Sequence, residues 1–290
     1  RTGVHSGDSF CVYPPQTLSE EIIQTIVEYT KKISIALQVS GLVNIQFVVR
    51  GKHVYIIEVN PRASRTVPIL SKVTKIPMVR IAMDVILGKR LRDLTYGTGL
   101  LATTNLVAVK APVFSFVKLH DVDAALTPEM KSTGVVLGID TSYEKALLKA
   151  FLGAGFSFPE QGNVLISVAD KAKPEMLKYA KAFKKLGFGL MATKKSAAYL
   201  NQHAIEVTSV DGSALTTIQE LMKDKTITMM INIPTKGKDV GRNGFKLRSL
   251  AEHLNIPNFT CLDTVEAYIK ALQTKRSQQP IDYDTIDFYR

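Results

Sequence analysis

The chain is poor in cysteine. Cys11 and Cys261 are its only two, too few for a disulfide framework or a thiolate zinc site, and the usage fits a reducing compartment. No window approaches the ~18 uninterrupted apolar residues of a membrane-spanning helix. The N-terminus, Arg1-Thr2-Gly3-Val4-His5, lacks the charged-then-apolar layout of a signal peptide. A soluble, cytoplasmic protein with no membrane partner is the expectation. Internal repeats, low-complexity tracts and a Gly-rich Walker loop are also missing, which excludes solenoids and P-loop nucleotide chemistry. What is present is globular in kind: 290 residues, 46% hydrophobic and 22% charged, enough for one large or two ordinary domains.

A formal charge of +11 raises the question of nucleic acid. The excess is evenly spread, with 18 Lys and Arg against 12 Asp and Glu in residues 1–150 and 19 against 14 in residues 151–290. The densest runs, Lys181–Lys185 and Lys236–Lys238, suit a solvated helix face and an anion-holding loop, and no aromatic ladder interleaves them. Nucleic acid is therefore not an expected partner.

The hydrophobic period divides the chain into residues 1–155 and 156–290. Thr17-x-x-Glu20 has the form of a capping box, and Ile22, Ile23, Ile26, Val27, Ile33, Ala36 and Leu37 follow at helical spacing. After Gly41, Leu42–Val49 and His53–Asn60 read as an antiparallel hairpin around Arg50-Gly51-Lys52. A second helical pattern runs from Pro77 to Gly88. Residues 90–160, punctuated by Pro112, Pro128, Gly134, Gly138 and Pro159, read as short strands and a connector. From Asn163 the elements alternate. Strands are expected at Val164–Ala169, Phe188–Ala192, Ile205–Val210, Ile227–Ile233 and Asn258–Leu262. Helices are expected at Pro174–Leu186, from Ser196, and at Leu215–Lys223, Phe245–Leu254 and Val265–Leu272. Five strands with helical crossovers specify a parallel, helix-flanked sheet, and the polar tail Thr274–Arg290 reads as peripheral.

The segment that carries chemistry is the hairpin. By the two-residue period, Glu58 and Asn60 share a face with Val54 and Ile56. An odd-numbered loop would place Gln46 on that face as well, whereas a two-residue loop would break the cluster. One carboxylate and two amides are too weak a cage for a bare ion, but suit Mg²⁺ whose other ligands are substrate phosphates and water. Arg62 and Arg65 follow the strand and can fork onto phosphate oxygens. For the residues taken singly, an ordinary Glu58–Arg ion pair with polar neighbours is the competing reading.

The order Gln46, then Glu58-x-Asn60-Pro61-Arg62-x-x-Arg65 across a hairpin resembles the metal-binding end of the ATP-grasp fold. Gly3-Val4-His5-Ser6-Gly7-Asp8-Ser9, Asn44–Phe47, Ile57–Pro68, Val109-Lys110-Ala111-Pro112 and Pro128-Glu129-Met130-Lys131-Ser132-Thr133-Gly134 together resemble the second synthetase half of carbamoyl-phosphate synthase large subunits. That resemblance implies a partial ATP-grasp domain (α+β, antiparallel sheet with helices) over 1–155. It also implies ATP-dependent phosphorylation of carbamate, serving pyrimidine and arginine synthesis. Gly3, Val4, His5 and Ser6 would line the nucleotide, joined by Gln46 and Glu58. Gln46, Glu58 and Asn60 would bind Mg²⁺ or Mn²⁺, with K⁺ a further candidate ion, and Arg62 and Arg65 would hold the transferring phosphoryl or carbamate group.

An anionic acceptor attacking an anionic phosphate needs charge neutralisation and no protein nucleophile. For His5 a positioning role competes with a general-base role. The implied partners are the N-terminal remainder of the large subunit and a small glutaminase subunit delivering ammonia, with an oligomer for the full-length enzyme. Nothing ahead of Arg1 supplies the second jaw of an ATP-grasp clamp. The chain is therefore expected to be a C-terminal fragment that does not turn over ATP alone.

The second half resembles the methylglyoxal-synthase-like regulatory domain of the same family, a parallel five-stranded α/β fold. The match runs through Ala192-Thr193-Lys194-Lys195-Ser196, Ile231-Asn232-Ile233-Pro234, Gly237-Lys238-Asp239 and Leu262-Asp263-Thr264. It implies a phosphorylated nucleotide effector, UMP for example, at Lys173, Thr193 and Ser196. A strand-to-helix turn can gather phosphate there, although Thr193 as a simple helix cap is the alternative. Ser209 replaces a lysine common in the family, and Ala111 replaces the acid expected for ornithine, so ornithine control is not expected. Two rival classes remain: another ATP-grasp carboxylate–amine ligase, or a phosphate-binding methylglyoxal-synthase-like protein.

Overall fold

The computed structural model describes residues 3–103, 105–116, 123–234, 243–277, 280, 281 and 283. The Lys236–Lys238 run, the Gly237-Lys238-Asp239 block and most of the tail lie outside the described residues. In the first half, strand β1 (Cys11–Tyr13) precedes helix α1 (Glu20–Ala36), the hairpin β2 (Asn44–Arg50) and β3 (His53–Asn60), and helices α2 (Val67–Thr74) and α3 (Met78–Ile86). Strands β4 (Val107–Val113) and β5 (Gly134–Asp140) then pair antiparallel, with β1 on the far edge of β4, and helix α4 (Tyr143–Gly153) follows.

The cap of α1 differs from the expectation. Ser19 is the N-cap, its hydroxyl accepting from the Ile22 amide at 3.4 Å, so the helix starts two residues later than a Thr17 capping box would place it. Helices α2 and α4 fall where no helix was expected. In α4 the residues Ala146, Leu147, Ala150 and Phe151 are buried at helical spacing, with Glu144, Lys145 and Lys149 as the polar positions and Ser142 as the N-cap, a pattern lost among the flanking glycines and prolines.

The second half comprises β6 (Asn163–Val168), α5 (Lys173–Lys185), β7 (Gly189–Thr193), α6 (Lys194–Gln202), β8 (Thr208–Val210) and α7 (Leu215–Lys223). It continues with β9 (Ile227–Ile233), α8 (Asn243–His253), β10 (Asn258–Phe259) and α9 (Leu262–Arg276). The five strands form one parallel sheet in the order β10-β9-β6-β7-β8. The expected alternation is thus present, although β8 and β10 are shorter than their apolar runs and α9 is longer. The chain winds to one side of β6 through β7 and β8, then returns to its other side through β9. That leaves a topological switch between β6 and β9, where open α/β sheets place their ligands, at the carboxyl ends of the strands.

The core does not break at residue 156. One continuous cluster joins Val109, Ala111 and α4 to Phe158, Val164, Tyr179, Phe259 and Tyr268 of the parallel-sheet half. Phe151 stands at its centre, 4.8 Å from the ring of Phe10, 5.0 Å from Phe156 and 5.6 Å from Tyr268. The Tyr268 hydroxyl donates to the Ser157 carbonyl at 2.7 Å. Few contacts were expected to cross the connector ahead of Asn163. The helix hidden in that connector is what carries them.

The outer layer of the first half is apolar and open. Tyr55, Ile56 and Ile57 on β3, Ile35 and Leu37 at the end of α1, and Val79, Met83, Ile86 and Leu87 at α3 are all exposed. No helix among the described residues is long and apolar enough to cross a membrane.

Candidate functional site

The hairpin turn is not the odd-numbered loop. Arg50 pairs with His53, leaving the two-residue turn Gly51-Lys52, with Gly51 at φ +60° where a side chain would be strained. Taken alone, this turn would put Gln46 and Glu58 on opposite faces. The register, however, slips once. Phe47 pairs with Ile56 while Gln46 pairs with Glu58, so Ile57 is the extra residue of a β-bulge. The slip restores the parity: Gln46 lies directly across from Glu58, and Asn44 from Asn60. Directly opposed residues project to the same side of a sheet, so Gln46, Glu58 and Asn60 share a face that also takes in Asn44. The bulge also corrects the neighbours. Val54 and Ile56, expected beside Glu58, fall on the opposite face, and Tyr55 and His53 replace them.

This face offers one carboxylate among three amides. No group of three or more His, Cys, Asp or Glu side chains among the described residues could hold a metal ion by itself. The donor set fits an ion that arrives with phosphate oxygens and does not fit a resident one.

Past the strand, the Arg62 amide donates to the Asn60 carbonyl at 2.8 Å, and its guanidinium to the Ala63 carbonyl at 3.0 Å; the side chain is otherwise exposed. Arg65 reaches across the molecule, donating from Nη1 to the buried Ser132 Oγ at 3.1 Å. Ser132 belongs to a tight support. Its amide and that of Lys131 both donate to the buried Asp8 carboxylate, at 2.9 and 2.8 Å. Lys110 is 3% exposed and donates to the carbonyls of Ser6 and Gly7, at 3.3 and 3.1 Å. Burial holds its ammonium below the usual lysine range.

His5 is engaged in the same loop. Its Nδ1 accepts from the Gly7 amide at 3.0 Å, capping the short turn Ser6–Asp8, and its own amide donates to Thr127. A ring nitrogen already committed as an acceptor favours the positioning role. Gly3 and Ser6 sit in this loop, and Val4 lines a cavity of about 440 Å³ at the seam between the halves, among Phe10, Phe114, Phe156 and Phe259. Asp8, Lys110 and Ser132 were not singled out from the sequence, although each falls inside one of the motif blocks.

In the parallel sheet, Thr193 ends β7 at the start of α6 and makes no side-chain cap, which removes the simple-cap reading. Its hydroxyl instead lies 3.4 Å from Ser167 Oγ and 3.5 Å from Ser196 Oγ, and Ser196 is buried and accepts from the Val168 amide. Ser167 pairs in register with Asn232 on β9, so the carboxyl ends of β6, β7 and β9 gather hydroxyls and an amide at one mouth. Asn232 is 2% exposed, and its Nδ2 has no hydrogen-bond partner among the described residues. Ser167 and Asn232 were not singled out from the sequence; the topological switch is the signal that points to them.

Lys173 follows β6 and pairs with Asp170 at 2.7 Å. The Lys173 bond holds the exposed Asp170 carboxyl below its usual value, and the charge of Lys195 adds to this. A phosphate arriving here would compete with Asp170 for the same ammonium. If this mouth takes a nucleoside monophosphate such as UMP, Asp170→Asn is expected to tighten its binding and Lys173→Ala to weaken it markedly, both read by calorimetry. Equal affinities in the two variants and the parent would remove Lys173 from the site.

Comparison with known proteins follows this division. Residues 1–94 match the family described as carbamoyl-phosphate synthase L chain, ATP binding domain, and residues 175–260 match the MGS-like domain. The carbamoyl phosphate synthase large chain of Thermoanaerobacter sp. (strain X514) is 49% identical over 272 residues, covering 94% of this chain and 25% of that protein. The large chain of Clostridium acetobutylicum is 44% identical over 293 residues, covering 100% of this chain and 27% of that protein. The chain thus spans about a quarter of the length of the curated relatives it matches. Among solved structures, methylglyoxal synthase from Elizabethkingia anophelis NUHP1 aligns at 19% identity with a TM-score of 0.33, covering 39% of this chain and 79% of that one. A likeness at that level decides nothing.

Proposed function

We propose that this chain, of the carbamoyl-phosphate synthase large-chain family, supplies one wall of an ATP-dependent site that phosphorylates carbamate, together with the domain that regulates it. The observation that carries the reading is the bulged register, which sets Glu58 among Gln46, Asn44 and Asn60 with Arg62 and Arg65 directly downstream. Within that reading, Gln46, Glu58 and Asn60 hold Mg²⁺ or Mn²⁺ carried in on the nucleotide. The ion's contribution, once bound, is to neutralise phosphate charge. The carbamate oxygen attacks the γ-phosphorus, the bond to the β-phosphate oxygen breaks, and ADP leaves. Arg62 and Arg65 bind and orient the transferring group. The Gly3–Ser6 loop, with His5 as its cap and Lys110 beneath it, presents backbone groups to the nucleotide.

The exposed apolar residues of β3, α1 and α3 support assembly with further parts of a large chain. A glutaminase subunit delivering ammonia, a cytoplasmic setting and a nucleoside monophosphate at the mouth of β6, β7 and β9 complete the proposal.

The test uses the intact large chain and the reverse direction, ATP formation from ADP and carbamoyl phosphate. Glu58→Gln keeps the shape of the side chain and removes its charge. It is expected to lower this rate by about 100-fold or more, the usual loss when one preorganised charge-stabilising group is removed. A rate within about threefold of the parent, in a variant with an unchanged melting temperature, would overturn the assignment.

A further inference from the structure

Arg248 on α8 is 4% exposed and lies between the two halves. Its Nη1 donates to Asn232 Oδ1 at 2.6 Å, while Nε and Nη2 grip both oxygens of Asp123, each at 2.6 Å. Asp123 belongs to the segment between β4 and β5. Burial alone would raise its carboxyl, but the Arg248 hydrogen bonds outweigh that and hold it below the usual value, so it is ionised at neutral pH.

Two consequences follow. The fork fixes the orientation of the Asn232 amide, since an oxygen that accepts from Arg248 turns Nδ2 the other way, unpartnered among the described residues and able to donate to a ligand oxygen. The grip on Asp123 then continues across the molecule. Lys131 Nζ donates to the carbonyls of Asp123 and Ala125, at 2.7 and 2.6 Å. The amides of Lys131 and Ser132 hold Asp8, and Ser132 Oγ receives Arg65.

We propose that Arg248 and Asp123 are positioning residues that couple an anionic ligand at the mouth of β6, β7 and β9 to Arg65 at the phosphate-transfer face. This rests on the regulatory reading of that mouth and names how its occupancy would be felt. A ligand oxygen taking up Asn232 Nδ2 acts on the amide that Arg248 holds from the other side. Any shift of the guanidinium moves Asp123, and with it the Lys131-Ser132 backbone on which Arg65 rests. Such a packed connection can carry coupling when the ligand contacts differ between two states.

The experiment compares parent and Asp123→Asn, which keeps the shape of the carboxylate and loses the charge of the fork. Amide hydrogen exchange on this chain reads the link without any ligand: faster exchange at Thr127–Thr133 and Gly3–Asp8 is expected in the variant. In the intact large chain, UMP is titrated against ATP formation from carbamoyl phosphate, with calorimetry on the same samples. The parent response, about 5-fold or more if coupling is of the usual size, should fall below about 2-fold in Asp123→Asn, while UMP still produces binding heat. Should Asp123→Asn fail to fold, Arg248→Lys keeps the buried charge, loses the two-pronged geometry, and carries the same expectation.

Unchanged exchange at both segments, or an undiminished UMP response, overturns the proposal. If the parent enzyme is itself indifferent to both UMP and IMP, the regulatory reading has failed and takes the coupling with it. That outcome is told apart by appearing before any substitution is made.

Discussion

Gly138→Ala is expected to be the most damaging single-methyl change in the chain. Gly138 lies in β5 opposite Val109, and helix α4 crosses directly over it. A Cβ built there would stand 2.1 Å from the Ala146 carbonyl oxygen and 2.5 Å from the Ala150 nitrogen. Both are backbone atoms of a helix whose inner residues are fully buried, so no side chain can rotate away to make room. Relief requires α4 to lift off the sheet, which opens the cluster around Phe151. Overpacking where side chains can adapt costs about 1–3 kcal/mol, and a clash confined to main chain belongs above that range. A loss of about 4 kcal/mol corresponds to a fall of roughly 8–16 °C in melting temperature for a chain of this class. A thermal melt followed by far-ultraviolet circular dichroism reads it; a midpoint within about 2 °C of the parent would show that β5 and α4 can part freely.

Phe151→Ala is expected to cost about 3–5 kcal/mol, the range for removing a large aromatic from a packed core. Its ring is fully buried and meets Phe10, Phe156, Phe158 and Tyr268. The last of these lies on α9, across the boundary at residue 156. The informative feature is where the loss appears. Because one core serves both sides of the boundary, urea unfolding of the variant should shift as a single transition. A variant whose parallel-sheet half keeps the parent midpoint, while only the first half loosens, would establish that residues 156–290 are stable alone. On this packing a chain cut at residue 156 should be markedly weaker than one that retains α4, since Tyr268 would lose its Phe151 neighbour to water.

Legibility differed between the halves for reasons that particular residues make plain. The alternating second half was readable because its strands are short apolar runs bounded by turns, and its helices α5 and α7 keep a polar side. Helix α4 carries the same signal, Tyr143, Ala146, Leu147, Ala150 and Phe151 at helical spacing, but it is short and the glycines and prolines around it suggested a connector. At the site, residue types and order pointed to Gln46, Glu58 and Asn60 sharing a face, and they do. The reason offered, an odd-numbered turn, was wrong. Parity counting sees turns and cannot see a bulge, because Ile57 is an apolar residue like Ile56 before it. Asp8, Lys110 and Ser132 escaped notice for another reason. Each acts through groups far away in sequence, and residue spacing carries no trace of such partners.

The position of that bulge shields the chemistry from the end of the hairpin. Ile57 adjoins the Gln46–Glu58 pair, and every residue between it and the Gly51-Lys52 tip lies on the far side of the slip. The facing of Glu58 and Asn60 is therefore locked within one residue of the place where it matters, and the tip is free to drift. Gly51 can be replaced, or the loop lengthened to carry a reporter peptide, without turning the carboxylate away from its amides. Deleting Ile57 would remove the bulge and leave Glu58 opposite Gln46, whereas inserting one further residue there would turn the face. Over evolutionary time such an arrangement lets the outer half of the hairpin serve as a neutral reserve for new contacts, while the inner half stays in phase.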